Sequence, residues 1–320
     1  MEEQIKFDQM IHVGCGIDVH KDIIVATVRK SDKAYETRSF ESFTSSLTEL
    51  RDWCKSEGVS HVAMESTGIY WKPVFNILEE DFEIILVNAR HVKNVPGHKT
   101  DKKDSQWLSK LLLSGLLKGS FIPPQDIREL RDLVRYKKKK VAHVASEKNR
   151  IIKILEDCNI KLSSVVTDVS GVSATRIIDC IIDGETNIEV LMTHIHGRIK
   201  AGKVNIRKAL KGRITPHHRF MLQIARKTIK ENEELITEVE AQIDQCVEQY
   251  EVQLKNLQTI DGVGRDSAIA IISETGIDME RFPNEHHFAS WAGLSPGNNE
   301  SGGKKKVPEP SMEINIYKQP

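Results

Sequence analysis

Four carboxylates in the first third of the chain have the residue types and the placement for metal chemistry. Asp101 and Asp104 stand three positions apart in KTDKKDSQ (99–106), with Lys99, Lys102 and Lys103 around them. That spacing puts both carboxylates on one face of a helix. Taken alone, they are a solvated first turn favoured by the helix dipole. Taken with Asp18, which closes the apolar run IHVGCGIDVH, and Glu65 in HVAMES, they make a set of four. Four carboxylates within a few ångströms repel one another unless cations lie among them. Two Mg²⁺ (or Mn²⁺) ions about 4 Å apart would neutralise the set and clamp a phosphodiester for in-line attack. The lysines of KTDKKD would then hold nucleic-acid backbone against an acidic metal core.

The elements that must position this set can be read from periodicity. IHVGCGIDVH (11–20), DIIVATVRK (22–30) and AYETRSFES (34–42) are three successive strands, the last with the mixed pattern of a sheet edge. FTSSLTELRDWCKSEG (43–58) is a helix with Thr44 or Ser45 as N-cap and Gly58 as its stop. A buried strand (61–66), a helix with one early proline (68–81), a strand (83–89) and an amphipathic helix (104–117) complete an α/β domain of order β-β-β-α-β-α-β-α. With strands ordered 3-2-1-4-5, the first and fourth are neighbours. Asp18 and Glu65 then end side by side, and the last helix lays its first turn across them.

Beyond this domain the pattern is helical. Residues 126–159 keep helical periodicity with few breakers, 160–216 read as shorter helices with glycine turns, and 218–256 read as a second long helix ending near Leu257. Two long helices bracketing small ones predict an antiparallel, coiled-coil-like arm. In LQTIDGVGRDSAIAIISETG (257–276), Gly262 and Gly264 lie between two short apolar helical stretches, the pattern of a helix-hairpin-helix whose glycines admit a phosphate to the backbone. Periodicity is lost after Gly297. The expected domains are 1–125 (α/β), 126–256 (helical arm) and 257–320 (small helical domain).

Charge is segregated along the chain. Lys+Arg and Asp+Glu both number 46, so the formal net charge is zero. Yet residues 128–153 carry ten bases against three acids, among them Arg135, the run Lys137, Lys138, Lys139 and Lys140, and Arg150. Residues 198–213 carry seven bases and no acid, whereas 231–251 carry eight acids and no base. Two such basic blocks read as polyanion-binding surfaces. The chain has 39% hydrophobic and 29% charged residues and no apolar run of membrane-spanning length, which together predict a soluble globular protein. The N-terminus MEEQIKFDQM is not a secretory signal, so a cytoplasmic location is expected. Five scattered cysteines without CxxC spacing read as reduced thiols, and the twelve histidines show no partnered ligand set.

GIDVHKD, MESTGIYW and HVKNVPGHKTDKKDSQWLSKLL resemble the DEDD, ribonuclease-H-like domain of bacterial insertion-sequence transposases. IDGVGRDSAIAIISETG and FPNEHHFASWAGLSPGNNESGGKKK resemble the serine-bearing C-terminal domain of the same family. The resemblance implies that Asp18, Glu65, Asp101 and Asp104 are the DEDD metal set and that Ser301 is the nucleophile that joins DNA covalently. It also implies DNA partners (element ends and target) and a structured RNA, encoded by the element, that pairs with both. Two-ended DNA chemistry and a long arm favour a homo-dimer or tetramer. The stretch VPEPSMEINIYKQP after KKK departs from the family pattern, and the expectation is a C-terminally truncated copy. Two alternatives stand beside the recombinase. One is a metal-dependent, structure-selective nuclease that needs no serine; the other is a non-catalytic remnant that binds DNA or RNA.

Overall fold

The computed structural model describes residues 10–66, 68–88, 101–117, 119–195, 201–294, 300–301 and 304–305, without the side chains of 101–103, 300–301 and 304–305. The chain divides into two compact units, residues 1–122 and 123–320.

The first unit is built on a five-stranded sheet of order β3-β2-β1-β4-β5, the expected order. Its strands are β1 (Gly14–Val19), β2 (Ile23–Arg29), β3 (Tyr35–Glu41), β4 (His61–Glu65) and β5 (Glu83–Val87). β2 runs antiparallel to both β1 and β3, while β4 runs parallel to both β1 and β5. Strand side chains alternate between faces, and here the two faces have different composition. Cys15, Ile17 and Val19 of β1, Ile24, Ala26 and Val28 of β2, and Val62 and Met64 of β4 form one core with α1 (Thr44–Ser56) and α2 (Trp71–Leu78). The opposite face presents Gly14, Gly16 and Asp18, then Thr27 and Arg29, then Ala63 and Glu65. It is covered by α3 (Asp101–Leu113). β3 is exposed except at half-buried Phe40, as an edge strand would be.

Local detail departs from expectation at α1. The N-cap is Phe43, not Thr44 or Ser45, because the Phe43 carbonyl already accepts the first intrahelical bond, from the Leu47 N–H at 3.0 Å. Gly58 does stop this helix, with φ at +73°. In α2, Pro73 falls in the first turn, where no intrahelical N–H is required.

The second unit is helical. α4 (Gln125–Asp157) runs antiparallel to a second long helix, α8 (Pro216–Val247). The end of α4 (Ile151, Leu155) packs with the start of α8 (Leu222, Ala225, Ile229), and its start (Ile127, Leu130) with the end of α8 (Ile243, Val247). Along α8 the inward positions 222, 225, 229, 236, 239 and 243 follow three-and-four spacing, which keeps one seam facing the partner. Between the long helices lie a 3-10 turn (Leu162–Ser164), α5 (Val172–Ile182), α6 (Ile188–Thr193) and α7 (Lys203–Ala209).

The continuous helix expected over 218–256 is broken. α8 starts at Pro216 behind a capping box made by Thr215 and His218, and it ends at Val247. A 3-10 turn (Glu248–Tyr250) then leads into α9 (Glu251–Leu257). The turn buries Tyr250, whose hydroxyl donates to the Asp126 carboxylate at the start of α4. Beyond it come α10 (Arg265–Thr275), α11 (Glu285–Trp291) and a two-residue pairing of β6 (Glu300–Ser301) with β7 (Lys304–Lys305).

Candidate active site

Glycine at position 16 sets the geometry of the carboxylates. A β-carbon there would lie 2.3 Å from the Ser105 carbonyl oxygen and 2.4 Å from the Ser109 nitrogen, so the backbone of α3 rests directly on β1. Buried polar contacts fix the helix along its length. Ser105 Oγ lies 2.9 Å from Thr27 Oγ1, and Arg29 Nε donates to Ser109 Oγ at 3.0 Å. The rest of the Arg29 guanidinium donates to the carbonyls of Ser31, Asp32 and Gln106, which satisfies a cation only 6% exposed. Leu108, Leu111 and Leu112 add an apolar seal.

This docking places Asp104, one residue before Ser105, at the same end of the same sheet face as Asp18 and Glu65. Asp18 and Glu65 each follow the paired residues Ile17 and Met64 in adjacent parallel strands. Burial pushes the Asp18 carboxyl above its ordinary value, and the negative charges of Asp104 and Glu65 push it the same way. Opposing them, His20 draws it down through charge and a hydrogen bond, with Nε2 3.0 Å from Asp18 Oδ2. Asp18 is buried, while Glu65 and Asp104 are half-buried. Asp101 lies in the first turn of α3, and its side chain is outside the described residues. Among the described residues, no three potential ligands gather closely enough to hold a metal ion.

The other predicted residues fall into three groups. Lys99 lies outside the described residues; Lys102 and Lys103 are on the first turn of α3, and only their backbone is described. On α4, Arg135 makes two 2.9 Å bonds to the Glu274 carboxylate, and Lys137 pairs with Glu240 at 2.8 Å and Asp266 at 3.2 Å. Lys138 and Lys139 are exposed, Lys140 lies over the Tyr136 ring, and Arg150 pairs with Glu147. Gly262, with φ at +84°, and Gly264, the N-cap of α10, are exposed in the connection from α9 to α10. Ser301 ends β6, its backbone paired with Lys304, and its side chain is outside the described residues.

Sequence reasoning missed His20 and the buried polar rail beneath α3. A signal for the rail was present. Gly14 and Gly16 alternate on β1, while Ser105 and Ser109 recur one turn apart on α3, so small residues face one another across the contact.

Among the described residues, no helix is long and apolar enough to cross a membrane. No curated protein matches the chain. Two family models do. Residues 15–160 match the DEDD transposase model of IS110 elements, and residues 254–313 match the model described as Transposase IS116/IS110/IS902 family. The two matches fall in the order the motifs predicted, and the first takes in Asp18, Glu65, Asp101 and Asp104. The chain belongs to the IS110-type insertion-sequence transposases, which are DNA transposases.

Proposed function

We propose that this transposase cuts and joins DNA with a divalent-cation site in a ribonuclease-H-like domain (1–125) and with Ser301 as nucleophile. The observation that supports the reading is the placement of Asp18 and Glu65 at the ends of the paired strands β1 and β4, with Asp104 at the start of the helix that lies on β1, where the charges of Asp104 and Glu65 help raise the buried Asp18 carboxyl. An all-carboxylate set of hard oxygen donors fits Mg²⁺ or Mn²⁺, with Asp101 as the fourth member. A cation held there supplies Lewis-acid charge to the oxygens of a phosphodiester. Asp18, Glu65, Asp101 and Asp104 would hold it, Gly16 lets α3 come close enough for the set to form, and His20 orients the Asp18 carboxylate. The Ser301 hydroxyl attacks phosphorus, so the Oγ–P bond forms as a strand P–O bond breaks.

The glycines of the α9–α10 connection support a helix-hairpin-helix role. Both are exposed, and neither has an atom within 4 Å of where a β-carbon would stand, which leaves room for a DNA phosphate. A structured guide RNA is the second partner in this reading, and the active form is a homo-dimer or tetramer. The test is a denaturing gel of labelled element-end DNA, incubated with the protein, the element RNA and Mn²⁺. A covalent protein–DNA adduct is expected with the wild type and absent from Ser301→Ala, with DNA and RNA binding nearly unchanged. Adducts that persist in Ser301→Ala remove the serine from the mechanism.

A further inference from the structure

We infer that nucleic-acid phosphate seats on α7 and the turn after it, around Lys208, Lys211 and Arg213, rather than on the lysine run of α4. This rests on the reading above that the chain binds nucleic acid, and it concerns which of the two basic blocks does so.

Several cations of the α4 block are committed within their own unit. Arg131 donates to the carbonyls of Ser273 and Glu274, and its guanidinium lies 3.3 Å from the Glu274 carboxylate. Arg135 holds the same carboxylate, and Lys137 holds Glu240 and Asp266. These contacts fasten α10 and the acidic half of α8 to α4. At Lys137 the local field of the run is therefore damped by the acids beside it.

The second block differs on each count. Residues 201–213 contain Lys203, Arg207, Lys208, Lys211 and Arg213 and no acid. All five are exposed. Among the described residues, only Arg207 of these has an acidic partner, Glu189. Two acids at the neighbouring end of α4 are already occupied: Glu156 by Lys161, and Asp157 by His218 at 2.9 Å. Four cations thus face solvent without an acidic partner among the described residues.

Their backbone is also held in place. A β-carbon on Gly212 would lie 2.4 Å from the Cys158 carbonyl oxygen, so the turn lies flat against the end of α4. The Arg213 N–H donates to that same carbonyl at 2.8 Å, and the Lys161 N–H donates to the Ala209 carbonyl at 2.8 Å. Next to this turn is an open cavity of about 360 Å³ whose polar lining is Lys161, Ser164, Asn205 and Lys208. Lys161 there is paired with Glu156 and the Ser164 hydroxyl donates to the Lys161 carbonyl at 2.6 Å, so the Lys208 ammonium and the Asn205 amide are the donors left to meet the oxygens of a phosphodiester. No aromatic side chain lines it to stack on a base, so the contact is to backbone and is independent of sequence.

The experiment measures affinity against salt for the full-length protein with two probes, a random-sequence DNA duplex and an RNA hairpin of equal length. The triple variant Lys208→Gln, Lys211→Gln, Arg213→Gln is expected to lower the slope of log affinity against log salt by about two to three. The matched variant Lys138→Gln, Lys139→Gln, Lys140→Gln is expected to lower it by less. A loss confined to RNA, confined to DNA or shared by both identifies which backbone occupies the seat. Unchanged slopes for both probes in the triple variant, with the wild type binding, overturn the inference alone. A wild type that binds neither probe overturns the nucleic-acid reading as well. Melting temperature and far-ultraviolet dichroism equal to wild type establish folding, and Lys208→Gln alone, at an exposed helix position, carries the test if the triple variant does not fold.

Discussion

Gly16 of β1 and Ser105 of α3 are in backbone contact, so close that any side chain at position 16 would overlap the Ser105 carbonyl. Asp18 stands two residues after the first and Asp104 one residue before the second. The convergence of these carboxylates is therefore a consequence of how closely one helix lies on one strand. Side-chain adjustments could not substitute for that contact, because the groups in conflict are main-chain atoms.

Gly16→Ala tests this arrangement. The methyl group can be accommodated only by lifting α3 from the sheet, which would break the Thr27–Ser105 and Arg29–Ser109 bonds and leave Arg29 buried without its full set of acceptors. A loss of about 3 kcal/mol or more in urea unfolding is expected. DNA cleavage should fall with it, even at temperatures where the variant remains folded.

Glu274 is the acceptor that ties α10 to α4, through both Arg131 and Arg135. Replacing it leaves two guanidinium groups without their shared carboxylate. Glu274→Ala should cost about 2–3 kcal/mol. A double-mutant cycle with Arg135→Ala should return a coupling of about 1 kcal/mol. Additive single effects would mean that the pair is only a surface contact.

Tyr250 supplies a pH signature. Burial raises its phenol well above the ordinary value of 10.0, and the Asp126 carboxylate that accepts its hydrogen bond raises it further. The folded state therefore keeps this proton where the unfolded state releases it. That contribution is complete below the unfolded value, and stability drains away as pH rises above about 10. In Tyr250→Phe the alkaline fall in the urea midpoint should be shallower than in the wild type. Identical pH profiles would show that the hydroxyl has no such role.

Asp18→Asn should stabilise the metal-free protein. The Asp18 carboxyl is raised by burial and by Asp104 and Glu65, so its charged form is the unfavourable one in the folded state. The penalty sets in as pH rises from the ordinary carboxylate value of 3.8 through the raised one, and it is fully present at neutral pH. Without metal, the unfolding midpoint of the variant should exceed that of the wild type at pH 7 and approach it in acid.

The strands and helices of the first unit were legible because apolar runs alternate there with helical periods, whereas their order in the sheet, which brings Asp18 beside Glu65, is not contained in that pattern. The two long helices were legible for the same reason. Less visible were features that depend on packing. The continuous period through Val247 conceals the break at Glu248–Tyr250, since the turn is set by Tyr250 reaching Asp126, 124 residues away. Likewise, the sequence shows Arg135 and Lys137 as part of one basic block. Their commitment to Glu274, Glu240 and Asp266 becomes apparent only when α8 and α10 fold back onto α4. Charge density along a chain does not distinguish a cation that holds the fold together from one that faces solvent.

The central claim is that the carboxylates at the ends of β1 and β4 and the start of α3 form one divalent-cation site. Calorimetric titration of Mn²⁺ into wild-type protein and Asp101→Asn tests it most directly, because that substitution removes one carboxylate from the first turn of α3 and leaves Arg29, Ser105 and Ser109 of the buried rail in place. Saturable binding in the wild type, lost or strongly weakened in Asp101→Asn with the fold intact, is the predicted result. Equal binding in the two proteins, or none in the wild type, would contradict it.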